Sequence, residues 1–313
     1  MLKVLVSDPL SKEGMAILEE AEGIEVVEKT GLNEDGLVAE IKDYQGLIVR
    51  SGTTVTRPII EAASNLKVIG RAGSGVDNVD VEAATSRGIV VMNVPGGNTI
   101  AVVELTMGLL VCLARSIPAA DASLKSGKWE RKRFQGGELY GKTLGIIGLG
   151  WIGSGVAKLA RAFGMKVIAC DPYRQEDEAE SVGAELVSLD KIYEDSDYIT
   201  IHTPKSPETT HLIGREEIVR MKDGVRIINC ARGGIIDEKA LIEGLTSGKV
   251  AGCALDTYET EPPLGSPLLA MPNCITLPHI GAQAKEAQVR VAVEMAKQVV
   301  DFLKEGKIKN AVR

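Results

Sequence analysis

A guanidinium, a group of acids and an imidazole follow three late apolar runs. Arg232 comes after Ile227-Ile228-Asn229-Cys230 and precedes Gly233-Gly234. Asp256 comes after Ala254-Leu255, with Glu259 and Glu261 close behind. His279 comes after Ile275-Thr276-Leu277-Pro278 and just before Gly281. A histidine titrates near neutrality, so His279 can accept a hydroxyl proton as a carbinol carbon gives up a hydride. An acid beside it would orient the ring; Glu261, stiffened by Pro262-Pro263, is preferred to Glu259. Arg232 can hold a carboxylate through a two-pronged hydrogen bond and polarise a carbonyl. His202, which follows another apolar run, reads as structural or as part of a cofactor rim, and His211 as an exposed loop residue.

A hydride needs an acceptor, and Gly148-Leu149-Gly150-Trp151-Ile152-Gly153 supplies a place for one. It follows the apolar run Leu144 to Ile147, and Asp171 lies 18 residues past Gly153. Val156, Leu159, Ala160 and Phe163 carry a helical face, and Lys166 to Cys170 reads as a strand that Asp171 ends. Strand, glycine turn, helix, strand and acid form the pattern that holds a dinucleotide. The first glycine permits a tight turn, the second lets the backbone approach a pyrophosphate, and the third lets helix and strand pack closely. The helix then points free N–H groups at the phosphates. Asp171 suits a ribose diol and would repel a 2′-phosphate; Arg174 nearby could offset that, so NAD is favoured over NADP without excluding it.

The elements that must position these groups fall into two blocks. In the first, strands at Lys3 to Ser7, Glu25 to Glu28, Leu47 to Val49, Lys67 to Gly70 and Ile89 to Val91 alternate with helices. Ser11, Asn33 or Asp35, and Thr56 are the expected helix caps, with Pro58 in a first turn. The second block opens with a helix from about Asn98 to Arg115. After the polar stretch Lys125 to Arg133 it holds the glycine motif and strands at Tyr198 to Ile201, Val225 to Asn229, Val250 to Leu255 and Cys274 to Leu277. The last helix, Glu286 to Lys304, is expected to pack back on the first block. The fold class is therefore α/β, with two parallel-sheet domains: a Rossmann-type nucleotide domain (98–282) inserted into a flavodoxin-like substrate domain (1–97 and 283–313).

With 313 residues, two domains are the natural division. A hydrophobic share of 44% and a charged share of 25% describe an ordinary soluble protein. A net charge of −7 argues against nucleic acid or an anionic membrane as partner. The N-terminal strand is too short for a signal peptide, and the helix from Ala101 to Ala114 too short to span a bilayer. The five cysteines, Cys112, Cys170, Cys230, Cys253 and Cys274, show no CxxC spacing, so reduced thiols in a cytoplasmic protein are expected. With three histidines, none at ligand spacing from a cysteine, no metal site is expected.

The chain resembles the D-2-hydroxyacid dehydrogenase family over its whole length. The closest stretches are 71–80, 128–132, Asn229 to Gly234, Ala254 to Asp256, Glu261 to Pro263 and Pro278 to Ala282. The resemblance implies Arg232, Glu261 and His279 as active-site residues. It implies cofactor contacts at Ser74, Trp151, Ile152, Asp171, Thr203, Cys230, Ala231, Arg232, Asp256 and His279, with Asp256 on the nicotinamide carboxamide side; the motif glycines Gly148, Gly150 and Gly153, and Gly281, complete the expected cofactor site. It also implies a small, phosphorylated 2-hydroxy acid, 3-phospho-D-glycerate, as substrate. Arg50, Ser51, Arg71, Ser74, Gly75 and Asn98, with Arg232 and His279, would hold it. Arg131-Lys132-Arg133 is a candidate for phosphate contact or subunit packing, its alternative being a solvated loop. Glyoxylate or hydroxypyruvate reduction is the alternative within the family; an NAD-sensing corepressor-like role is the alternative outside it. A homodimer through the helix starting at Asn98 is expected. Trp151 stands where an arginine is common, and Ala282-Gln283-Ala284 where Ala-Ser-Thr is usual. The 313 residues contain no counterpart of a serine-sensing regulatory domain, so serine feedback is not expected of them.

Overall fold

The computed structural model describes residues 1–312; Arg313, the end of the expected substrate domain, lies outside the described residues. The chain begins with β1 (Leu2–Val6), α1 (Lys12–Glu19), β2 (Ile24–Glu28), α2 (Glu34–Glu40) and β3 (Gly46–Val49). It continues through α3 (Arg57–Ala62), β4 (Val68–Arg71), α4 (Val81–Ser86) and β5 (Val90–Met92). Then come α5 (Thr99–Arg115), α6 (Ile117–Lys125), β6 (Thr143–Ile147), α7 (Trp151–Ala162), β7 (Lys166–Cys170), α8 (Glu176–Ser181) and β8 (Glu185–Leu186). After α9 (Leu189–Asp195) and β9 (Tyr198–Ile201) follow α10 (Arg215–Arg220), β10 (Val225–Asn229), α11 (Glu238–Ser247), β11 (Val250–Leu255) and β12 (Cys274–Thr276). The chain closes with α12 (Lys285–Glu305) and β13 (Ala311–Val312).

Two compact units result, one from Met1–Asn98 with Ala282–Arg313, the other from Thr99–Gly281. In the first, the sheet runs β13-β5-β4-β3-β1-β2. Strands β1 to β5 are parallel in the flavodoxin-like order, and both faces of the sheet are covered, so its central strands are continuous apolar runs. β13 is the exception: it pairs antiparallel with β5, Ala311 opposite Met92, so this sheet is mixed rather than wholly parallel. α12 lays Met295, Ala296 and Val299 on Val4, Ile48 and Val68. On the opposite face Leu47, Val49 and Ile69 pack with Ile59 and Ile60 of α3. Ser11 and Asn33 cap their helices by accepting from the Gly14 and Gly36 amides. Thr56 does not cap α3; its hydroxyl donates to Glu34 Oε2 at 3.0 Å instead.

The second unit carries seven parallel strands in the order β12-β11-β10-β9-β6-β7-β8. The chain starts at β6, works outward to β8, then returns past β6 to β9, which makes the β6/β9 boundary a topological switch point. α5 and α7 cover one face through Val103, Leu110, Val156 and Ala160. α9, α10 and α11 cover the other through Ile192, Ile218 and Leu241. Among the described residues no single helix is long and apolar enough to cross a membrane.

Candidate active site

The glycine motif sits between β6 and α7. Gly148 has φ 93°, a left-handed conformation, and a Cβ there would lie 2.8 Å from the His202 carbonyl. A Cβ on Gly153 would run into the Gly148 carbonyl, so only glycine lets the first turn of α7 close against the loop. Gly150 is the N-cap of α7 with no side-chain cap, and nothing lies within 4 Å of a Cβ built there. Open space and uncapped N–H groups at a helix start are what a pyrophosphate needs. Asp171 Oδ2 accepts from the Leu149 amide at 2.7 Å and Oδ1 from Tyr173 at 2.9 Å. Arg174 Nε donates to the Leu149 carbonyl at 3.1 Å, and its Nη1 to Glu178 at 2.7 Å. The guanidinium named above as a possible offset to Asp171 is thus held by the loop and by Glu178. Trp151 is exposed, and Ile152 packs partly against the core.

Asn229, buried at the end of β10, accepts from the Ala231 amide and donates to the Arg232 carbonyl at 2.8 Å. This shapes the turn that carries Arg232, whose Nη1 donates to the Ala231 carbonyl. A Cβ on Gly233 would collide with the Tyr258 carbonyl, so the turn is seated against the segment that bears Glu261. Burial pushes the Cys230 thiol up to about 12, which keeps it protonated.

Glu261 Oε2 lies 2.7 Å from His279 Nδ1, while Glu261 Oε1 accepts from the Tyr258 amide at 3.1 Å. Pairing on Nδ1 orients the ring and leaves Nε2 as the atom able to take a proton. Glu259 goes elsewhere: it accepts from the Glu238 amide and lies 3.2 Å from His211 Nε2. His211 is therefore exposed but has a partner.

His279 itself has φ 54°, which a side chain rarely adopts. The buried Asp256 holds it there, its two oxygens accepting from Ile280 at 2.7 Å and Gly281 at 2.6 Å. Asp256 was expected at the cofactor; its observed bonds go to the histidine turn. Tyr258 braces the same turn by donating to the Leu277 carbonyl at 2.8 Å. His202 is linked by Nε2 to Thr200 Oγ1 at 3.0 Å; its buried Nδ1 and the Thr203 hydroxyl have no hydrogen-bond partner among the described residues. Burial pushes the His202 ring down to about 3, so it stays neutral at physiological pH.

In the first unit, Ser74 Oγ lies 2.7 Å from Asn98 Oδ1, and Asn93 donates to the Ser74 carbonyl. Arg71, the last residue of β4, and Ser74 and Gly75 just past it are partly buried, and Ser51 is exposed. Arg50 is placed by a residue the sequence reading passed over. Buried Asp8 accepts from the Arg50 amide at 2.6 Å and the Thr53 amide at 3.0 Å. Asn78 closes the loop by donating to the Arg50 and Thr53 carbonyls. Its signal in the sequence is an acid just past an apolar strand, with one residue between it and the end of β1, whereas Asp171 and Asp256 follow β7 and β11 directly. Arg131, Lys132 and Arg133 are exposed; Arg133 pairs with Glu130 at 3.1 Å and stacks over Phe134.

Residues 107–281 match the sequence profile of the D-isomer specific 2-hydroxyacid dehydrogenase NAD-binding domain. The chain belongs to the D-isomer specific 2-hydroxyacid dehydrogenase family. Over its full length it is 53% identical to D-3-phosphoglycerate dehydrogenase of Methanocaldococcus jannaschii, and it spans 59% of that relative. The TT0316 protein from Thermus thermophilus superposes with a TM-score of 0.92 at 35% identity, each chain covered in full. The NAD+-bound 3-phosphoglycerate dehydrogenase of Entamoeba histolytica superposes with a TM-score of 0.83 at 31% identity, over 100% of this chain and 98% of that one. The dinucleotide of this family's NAD-binding domain is the one the loop, α7 and Asp171 fit.

Proposed function

We propose that the protein oxidises 3-phospho-D-glycerate to 3-phosphohydroxypyruvate with NAD. The observation that carries the chemistry is the His279–Glu261 pair at 2.7 Å, in the same unit as the motif that suits a dinucleotide. The substrate choice is supported by the relatives named above, two of which are called phosphoglycerate dehydrogenases.

The 148–153 loop and Asp171 would hold NAD, which would supply the hydride acceptor. His279 takes the C2 hydroxyl proton on Nε2, and Glu261 stabilises the imidazolium through Nδ1–H. Arg232 holds the substrate carboxylate and polarises the developing carbonyl. Asp256 keeps the His279 turn in its left-handed conformation. Arg50, Ser51, Arg71, Ser74, Gly75 and Asn98 are assigned to the substrate side, with Arg50 aimed by Asp8. The proposed assembly is a cytoplasmic homodimer that uses α5, α6 and the following segment. The exposed Ile117, Leu124 and Trp129 support that choice. A monomer by light scattering at micromolar concentration would contradict it.

The deciding experiment is an initial-rate panel of 3-phospho-D-glycerate, glycerate, lactate and hydroxypyruvate with NAD or NADP in the matching redox form. The proposal expects the phosphorylated acid with NAD to give the highest kcat/KM. Preferential turnover of unphosphorylated hydroxypyruvate would reject it.

A further inference from the structure

Cys253 and Cys274 stand opposite each other on the adjacent parallel strands β11 and β12. Their sulfurs are 3.0 Å apart, although the residues are 21 positions apart in sequence. Adjacent strands lie about 4.7–4.9 Å apart, inside the Cα range of about 4.4–6.8 Å that a disulfide spans. Both side chains project from the same sheet face, because directly paired residues share a face. Sulfur contact this close leaves about 1 Å to close before a bond of about 2.05 Å is reached.

The two thiols differ in access. Cys253 is fully buried, with Ile227, Leu245 and Tyr258 in the same cluster. Cys274 is partly exposed on an edge strand and lines an open cavity of about 870 Å³, together with Arg226 and Cys112. The hydrogen bond with the neighbouring sulfur and burial hold the Cys253 thiol well above its usual range, which keeps it protonated.

We propose that Cys274 and Cys253 form a peroxide-responsive modification site, closing to a disulfide across β11 and β12. The Cys274 thiolate attacks a peroxide oxygen. An S–O bond forms, the O–O bond breaks, and the leaving hydroxide takes up the proton that the Cys274 thiol released on ionising and departs as water, giving a sulfenic acid. The Cys253 sulfur then attacks the Cys274 sulfur. The S–S bond forms, the S–O bond breaks, and the hydroxide leaves as water with the Cys253 proton. Two thiols are oxidised by two electrons in all, and one hydrogen peroxide is reduced to two waters. Close apposition makes the second step intramolecular, so it outruns further oxidation of the sulfenic acid.

The test uses the intact folded chain and hydrogen peroxide, followed by alkylation under denaturing conditions and peptide mass mapping. The expected product is a Cys253–Cys274 linked peptide pair, two hydrogens lighter than the dithiol and restored by dithiothreitol. In Cys253→Ser, dimedone is expected to trap a sulfenic acid at Cys274. In Cys274→Ser, Cys253 is expected to remain a thiol. Over-oxidised Cys274 beside an alkylated Cys253 in the unmodified chain would overturn the proposal, as would linkage of Cys274 to Cys112. Oxidation of Cys253 in the Cys274→Ser variant would overturn the order of steps.

Discussion

Asp256→Asn tests how the proposed catalytic turn is held. The carboxylate accepts two backbone amides, from Ile280 and Gly281, at 2.7 and 2.6 Å. Asparagine can accept only one of them and turns its NH2 toward the other. One charge-assisted bond worth about 1.5–3 kcal/mol is lost, and one buried amide is left unsatisfied at about 1–3 kcal/mol. Part of this is offset, because burial raises the Asp256 pKa and the charge no longer has to be kept out of water. The remainder is comparable with the strain of about 1–3 kcal/mol stored in a side-chain-bearing residue at positive φ. His279 is therefore expected to leave its left-handed conformation and to lose register with Glu261. A displacement near 1 Å lowers kcat by about 10²-fold. The assay pairs steady-state rates with a fluorescence titration of NADH, and the dissociation constant should move by less than about threefold, a change under ~1 kcal/mol. An unchanged kcat with much weaker NADH binding would refute the reasoning, since Asp256 would then be acting on the cofactor itself.

His279→Ala should lower kcat by about 10²-fold or more with NADH affinity nearly intact, and full activity would remove it from the mechanism. His202 has its folded pKa depressed to about 3 against about 6.5 unfolded, so acid favours the unfolded chain across that window. Its contribution to stability should fall by about 1.4 kcal/mol per pH unit as pH drops below about 6.5, and His202→Gln should remove that slope; equal shifts of the urea midpoint with pH in both chains would contradict it. Gly153→Ala places a methyl against the Gly148 carbonyl; it should cost about 1–3 kcal/mol and weaken NADH binding at least tenfold, by calorimetry.

The parallel strands were legible because two covered faces leave each as a nearly uninterrupted apolar run; β7, β9, β10 and β11 fall on the residues expected. β13 was not, since two residues on an edge carry no pattern, and its pairing with β5 is decided by contacts far away in the chain. The helix α6 was missed because none of its residues is buried, so it shows no apolar face to read. Thr56 has the right type and place for a cap, but Glu34, 22 residues earlier, offers its hydroxyl a carboxylate. At the site, residues that lie directly after strands stood out. Those that position them did not: Asp8 acts on Arg50 across 42 positions, and Asn229 acts through backbone groups that a sequence does not display. Glu261 could be preferred to Glu259 only through its prolines, whereas the distances separate the two at once.

The way α12 completes the first unit sets an order of events during synthesis. Val4, Ile48 and Val68 present one face of an early-made sheet, and its cover, Met295 and Val299, emerges only after them by more than two hundred positions, roughly two-thirds of a chain this long. Residues 99–281 are all available before that cover is. The first-made half of the molecule thus waits, with an apolar sheet face unsealed, while the later-made half can already collapse around its own core. Contacts of such high sequence separation are the slow ones to close, and the waiting face is where a nascent chain is most exposed to aggregation.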